Sequence, residues 1–90
     1  MSSHDFDRIE EGFAELLAGS LPFSPSESDE IKHFLDVGEY GIALETLIDI
    51  INEEGKSISR RALGLIGELA LQMELLDEFE SAGLDKRVFE

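Results

Sequence analysis

The chain contains no cysteine. A disulfide framework, a thiolate metal site and a cysteine nucleophile are therefore excluded. Positive charge is also scarce: 7 lysines and arginines stand against 21 aspartates and glutamates, a formal net charge of −14. Nucleic-acid binding needs clustered Lys and Arg to meet phosphates, so this balance argues against it. It argues equally against docking on an anionic membrane surface. No run reaches the roughly 18 apolar residues of a membrane span, and Met1 to Arg8 holds no apolar signal core. The expectation is a soluble, cytoplasmic protein.

Signatures of chemistry are missing as well. The two histidines, His4 and His33, show no H-x-x-x-H or H-E-x-x-H spacing. Both are expected on the surface, and zinc would have too few soft ligands. No G-x-x-x-x-G-K-[ST] loop or calcium-binding D-x-[DN]-x-[DN]-G loop is present. Adjacent acids along a helix cannot wrap a cation. Carboxylate pairs do occur, at Asp29-Glu30, Glu53-Glu54 and Asp77-Glu78. Acid–base catalysis also needs a cleft that separates two pKa values, and an acidic helical surface makes such pairs by chance. Ser20 differs from the D-S-L serine of acyl carrier proteins, because Gly19 replaces the Asp and Pro22 follows. The reading is a protein with no catalytic residue, no metal and no cofactor, hence not an enzyme.

What remains is a chain of 90 residues with 42% hydrophobic content, enough for one domain spanning 1–90 with a small core. Its charge is uneven. Residues 1–54 carry fourteen acids against Arg8 and Lys32, a balance of −12, whereas residues 55–90 balance at −2. Hydrophobic spacing is helical nearly throughout. Phe6, Ile9, Phe13, Leu16 and Leu17 share one face of a first helix, with Ser3 as a candidate cap and Gly19 as the stop. Ser24, Pro25 and Glu27 open a second helix with a capping box, its buried stripe at Ile31, Phe34 and Leu35 and its end at Gly38. A third starts at Glu39, buries Tyr40, Ala43, Leu44, Leu47 and Ile51, with Ile48 on the edge, and stops at Gly55.

Ser59 caps a fourth helix, whose main face is Leu63, Ile66, Leu69, Ala70 and Met73. Leu65, Leu71 and Leu75 make it apolar nearly all round, the pattern of a helix buried between neighbours. Gly64 and Gly67 suit close approach of another helix, or local mobility. Beyond Leu76, either the fourth helix continues to Ala82 or Asp77 and Glu80 cap a new one. Gly83 ends it, and Val88 and Phe89 are candidate docking residues of the tail. The predicted fold is all-α, a compact bundle of four helices, or five if the last segment is separate.

The acidic surface is the remaining functional signal. Glu45, Asp49 and Glu53 fall at i, i+4 and i+8, a like-charged ladder beside the core face of the third helix. Such a ladder is mildly unfavourable within the helix. Scattered acids ordinarily serve solubility, but an imbalance of this size costs stability through self-repulsion and suits a basic partner.

The run Phe34-Leu35-Asp36-Val37-Gly38-Glu39-Tyr40-Gly41-Ile42-Ala43-Leu44-Glu45-Thr46-Leu47 resembles the core signature of MafI-type immunity proteins. The Phe34-Leu35 pair, the Gly38-Glu39-Tyr40-Gly41 turn and Ala43-Leu44-Glu45 carry the likeness. Glu53, Ile58-Ser59 and the apolar fourth helix are similar in placement, and the likeness spans residues 31 to 75. The resemblance implies a small cytoplasmic protein that neutralises a bacterial toxin, including toxins of contact-dependent inhibition systems. Toxins of that kind are often nucleases, EndoU-type ribonucleases among them, and a nuclease's basic substrate channel matches a strongly acidic inhibitor. The expected partner-binding residues are Asp36, Glu39, Glu45, Asp49, Glu53 and Glu54. Asp7, Glu10, Glu11 and Glu15 form a second candidate face. The expected partner is a cognate toxin domain with a basic surface, bound 1:1 by a protein that is monomeric alone and contacts neither nucleic acid nor membrane. The competing reading is a small acidic regulatory adaptor or anti-activator that binds a basic protein, with an apolar groove beside Gly64 and Gly67.

Overall fold

Ser24 and Glu27 close the capping box that the sequence predicts. The Ser24 hydroxyl accepts from the Glu27 amide at 3.2 Å, and the Glu27 carboxylate accepts from the Ser24 amide at 2.9 Å. In the computed structural model, which describes residues 2–89 and the side chains of 6–19 and 21–89, this box starts the second of five α-helices. They are α1 (Ser2–Glu15), α2 (Pro25–Asp36), α3 (Tyr40–Glu53), α4 (Arg60–Gln72) and α5 (Leu76–Ala82). The fold is all-α.

α1 places Ser3 inside the helix and not at its cap, and the side chains of Ser3 and His4 lie outside the described residues. A wide π-type turn, Leu16–Ser20, follows α1, and Gly19 at φ 129° breaks the helical path. His33 is exposed, as expected, and stands edge-on to Phe34 with ring centroids 5.9 Å apart.

α3 is the centre of the bundle. Ala43, Leu44, Leu47, Ile48 and Ile51 are all buried on it. They meet Ile9 and Phe13 from α1, Leu16 from the turn that follows it, Ile31 from α2, and Ala62, Ile66, Leu69 and Ala70 from α4 in one core. Each of these positions recurs at helical spacing, so burial of one stripe per helix accounts for the fold. Ile48, expected at the edge, is 6% exposed and belongs to the core.

Three expectations are corrected. Phe6 is 48% exposed and lies outside the buried core; its ring stacks on Tyr40 at 5.5 Å. α4 is not buried all round: Leu71 is 63% exposed and Leu63, Leu65 and Met73 are half-buried, so the helix lies on the bundle and not within it. Close approach was expected at both Gly64 and Gly67. A Cβ at Gly67 would stand 3.2 Å from Phe79 of α5, whereas a Cβ at Gly64 would meet nothing within 4 Å. The unforeseen close approach is at Gly12, where a Cβ would stand 2.9 Å from Leu69.

α5 is a separate helix. The chain turns at Glu74, whose φ is 59°, and Leu75 is the N-cap residue with no side-chain bond. Asp77 therefore lies in the first turn and caps nothing. After Gly83 a 3₁₀ turn, Leu84–Arg87, buries Leu84. The tail docks through backbone: Ile58 donates to the Arg87 carbonyl at 3.0 Å and Phe89 donates to the Ile58 carbonyl at 3.2 Å. Val88 is half-buried there, while the Phe89 side chain is 65% exposed.

Candidate functional site

Glu45 and Asp49 are one turn apart on α3, on the side that α5 covers incompletely. α5 brings Asp77 and Glu78 to the opposite wall. Between the two helices lies an open groove of about 390 Å³, floored by Ile48 and Ala82 and lined also by Asn52 and Ser81. The four carboxylates thus face one another across a furrow, and among the described residues no lysine or arginine forms an ion pair with any of them. The Glu45 carboxyl is held above the usual 4.5. The main cause is hydrogen bonding with the Glu78 side chain. Partial burial and the charges of Glu78 and Asp49 act in the same direction. Glu45 therefore resists ionisation, first through its hydrogen bonding to Glu78 and then through loss of water and like charge.

Asn52 fixes the floor of the groove. Its side-chain amide donates to the Ala82 carbonyl at 3.1 Å, and its side-chain oxygen accepts from Arg87 Nε at 3.1 Å. Arg87 also donates to the Asn52 backbone carbonyl at 3.2 Å. This pair ties α3, α5 and the tail together, so the α5 wall has a definite position. Asp77, Glu78 and Asn52 are the residues that sequence reasoning did not assign. An Asn at the end of an acidic helix carries no signal of its own, and Asp77-Glu78 reads only as an exposed pair until α5 is placed.

The six expected binding residues do not form one patch. Glu53 and Glu54 are exposed at the C-terminal end of α3, beyond the groove. Asp36 ends α2 and Glu39 precedes α3. α3 has 14 residues, so Glu39 and Glu53 are about 21 Å apart along its axis. Asp36 and Glu39 thus belong to the other end of the molecule.

That end has its own hollow, of about 430 Å³. Phe6 and Ile9 of α1, Gly38 and Glu39 of the α2–α3 turn, Tyr40 and Gly41 of α3, Gln72 at the end of α4, and Met73 and Leu75 beyond it line it. The Tyr40 hydroxyl donates to Glu10 at 2.5 Å. That bond, followed by burial and the charges of Glu10 and Asp7, holds the phenol above its usual 10.0. Glu10 of the second candidate face is thereby committed to joining α1 and α3, and Glu15 pairs with Arg61 of α4.

No protein-family model, curated protein or solved structure matches this chain.

Among the described residues no group of three or more His, Asp or Glu side chains is placed to hold a metal ion. Among those residues no helix is long and apolar enough to cross a membrane. Of the groove beside Gly64 and Gly67 expected for an adaptor, Phe79 takes the space at Gly67, while Gly64 meets nothing within 4 Å; a smaller hollow is lined by Leu63, Phe79 and Leu84.

Proposed function

We propose that this chain is a cytoplasmic immunity protein that binds a cognate toxin domain 1:1 through the acidic α3–α5 groove and blocks it. The observation that carries the reading is the groove itself. Glu45, Asp49, Asp77 and Glu78 line it from two helices, among the described residues no lysine or arginine pairs with them, and Glu45 is already resisting its charge. Free protein holds these groups at a cost, and a Lys or Arg of a partner relieves it. The likeness of residues 34–47 to the MafI-type signature supports the same class. A toxin nuclease, with a channel lined for phosphate, presents a suitable basic surface.

An interface of ordinary size takes about 800 Å² from each partner. This chain exposes 5388 Å² in all, so the interface would occupy about a seventh of its surface. Four side chains do not fill that area. The contact extends along α3 to Glu53, which continues the ladder, and to Glu54 beside it.

The test is a pull-down with the product of the adjacent upstream reading frame, followed by rescue of its toxicity in cells. Tight 1:1 binding that weakens with added salt, together with rescue, is the expected result. Absence of both would overturn the reading in favour of the adaptor class.

A further inference from the structure

We propose that the hollow at the N-terminal end of α3 is a second docking site. It would take a protein segment that presents one large apolar side chain flanked by lysine or arginine. Its interior is apolar: Phe6, Ile9, Met73 and Leu75 contribute side chains, and Gly38 of the α2–α3 turn, where a Cβ would meet nothing within 4 Å, leaves space beside them. Phe6 is 48% exposed and already stacked on Tyr40, so a ready aromatic surface waits at the mouth. A volume of about 430 Å³ is in the range of pockets that seat a ligand or an anchor side chain.

The charge around the hollow selects the occupant. Glu39 lines it, and the carboxylates of Glu10 and Asp7 both act on the Tyr40 hydroxyl. No lysine or arginine is among its lining residues. An apolar anchor alone would leave this acidic rim unanswered, while flanking cations complement it. A second copy of this chain, at a net charge of −14, would bring further acid to an acidic rim and is a poor occupant. Because the α3–α5 groove lies toward the opposite end of α3, this site does not depend on the toxin reading.

The probe is a basic amphipathic peptide of lysine and leucine, titrated into the full ¹⁵N-labelled chain and followed by amide shifts. A matched peptide with serine for leucine carries the same charge without the anchor. The leucine peptide is expected to shift Gly38, Glu39, Gly41 and Met73 and to bind there about tenfold or more tightly than the serine peptide. Met73→Lys and, separately, Phe6→Ala are expected to weaken that binding, while Glu45→Lys with Asp49→Lys leaves the leucine-dependent difference in place. Phe6→Ala removes an exposed ring, so it retains the fold even if Met73→Lys does not. Equal binding of the two peptides at these amides would overturn the proposal. So would leucine-peptide affinity unchanged in Phe6→Ala. Shifts of Gly38 and Gly41 with protein concentration alone would assign the hollow to a second copy and overturn the proposed occupant.

Discussion

Gly64 and Gly67 stand three residues apart on α4 and have opposite surroundings. A methyl at Gly64 points into open space, so Gly64→Ala is expected to stabilise the fold by about 1 kcal/mol through helix propensity alone. In thermal unfolding this reads as a midpoint roughly 4–8 °C higher. A methyl at Gly67 meets the Phe79 ring at 3.2 and 3.4 Å, so the ring, packed between α4 and α5, must give by a few tenths of an ångström. Gly67→Ala is expected to fall below Gly64→Ala in midpoint and below the parent chain. A second residue-scale expectation concerns Glu45. Its folded-state pKa is raised, so the folded chain binds that proton more tightly than the unfolded chain does. The destabilising contribution is therefore fully present above the raised value and disappears as pH falls toward 4.5. Glu45→Gln should raise the thermal midpoint at pH 7, and the difference should shrink as the pH is brought down to 4.5. Glu27 has the opposite sign. Its pKa is lowered, first by the Ser24 amide, so its contribution is present above 4.5 and is lost below, as its folded-state value is crossed.

Three helices end in the same way, and only two of them announce it. After α2 the Glu39 amide donates to the Phe34 carbonyl at 2.8 Å, after α3 the Lys56 amide to Ile51 at 2.9 Å, and after α4 the Leu75 amide to Ala70 at 2.7 Å. Each is the long bond of a Schellman turn, which needs a left-handed residue just before the donor. Gly38 and Gly55 fill that position after α2 and α3, with φ of 78° and 62°, and both stops were legible in the sequence. After α4 the position is Glu74, at φ 59°, so the end of α4 and the separateness of α5 were not. The groove depends on that turn, because α5 supplies one wall. This is why Glu45 and Asp49 could be named from spacing while Asp77 and Glu78 could not. Spacing also could not divide the acids of residues 36–54 between two ends of the molecule, since periodicity fixes a face but not which neighbour covers it. The shared turn gives a paired expectation. Gly55→Ala should destabilise by about 1 kcal/mol, because a left-handed residue with a Cβ costs roughly that much. Glu74→Gly should stabilise by a smaller amount, about 0.5 kcal/mol, since the added freedom of the unfolded chain offsets part of the relief. Urea unfolding of the two variants would order them on either side of the parent.

At the scale of the whole molecule, repulsion and recognition have one source. The chain measures 37 × 26 × 18 Å and carries −14. Charges repel across all of it at ~10 mM salt, where the screening length is about 30 Å, and only among near neighbours at ~0.15 M, where it is about 8 Å. The thermal midpoint is therefore expected to rise with sodium chloride over this range, while affinity for a basic partner falls. The same opposition should appear in one variant. Glu45→Lys with Asp49→Lys turns four facing acids into two cations opposite Asp77 and Glu78, so the free protein loses repulsion and its midpoint should rise. A partner that brings Lys or Arg to the groove then meets like charge, and its dissociation constant should increase about 100-fold or more. If these residues only served the fold, stability and binding would fall together. A variant that is more stable and binds more weakly is the result that a groove kept for a basic partner requires, and an unchanged dissociation constant would remove Glu45 and Asp49 from the interface.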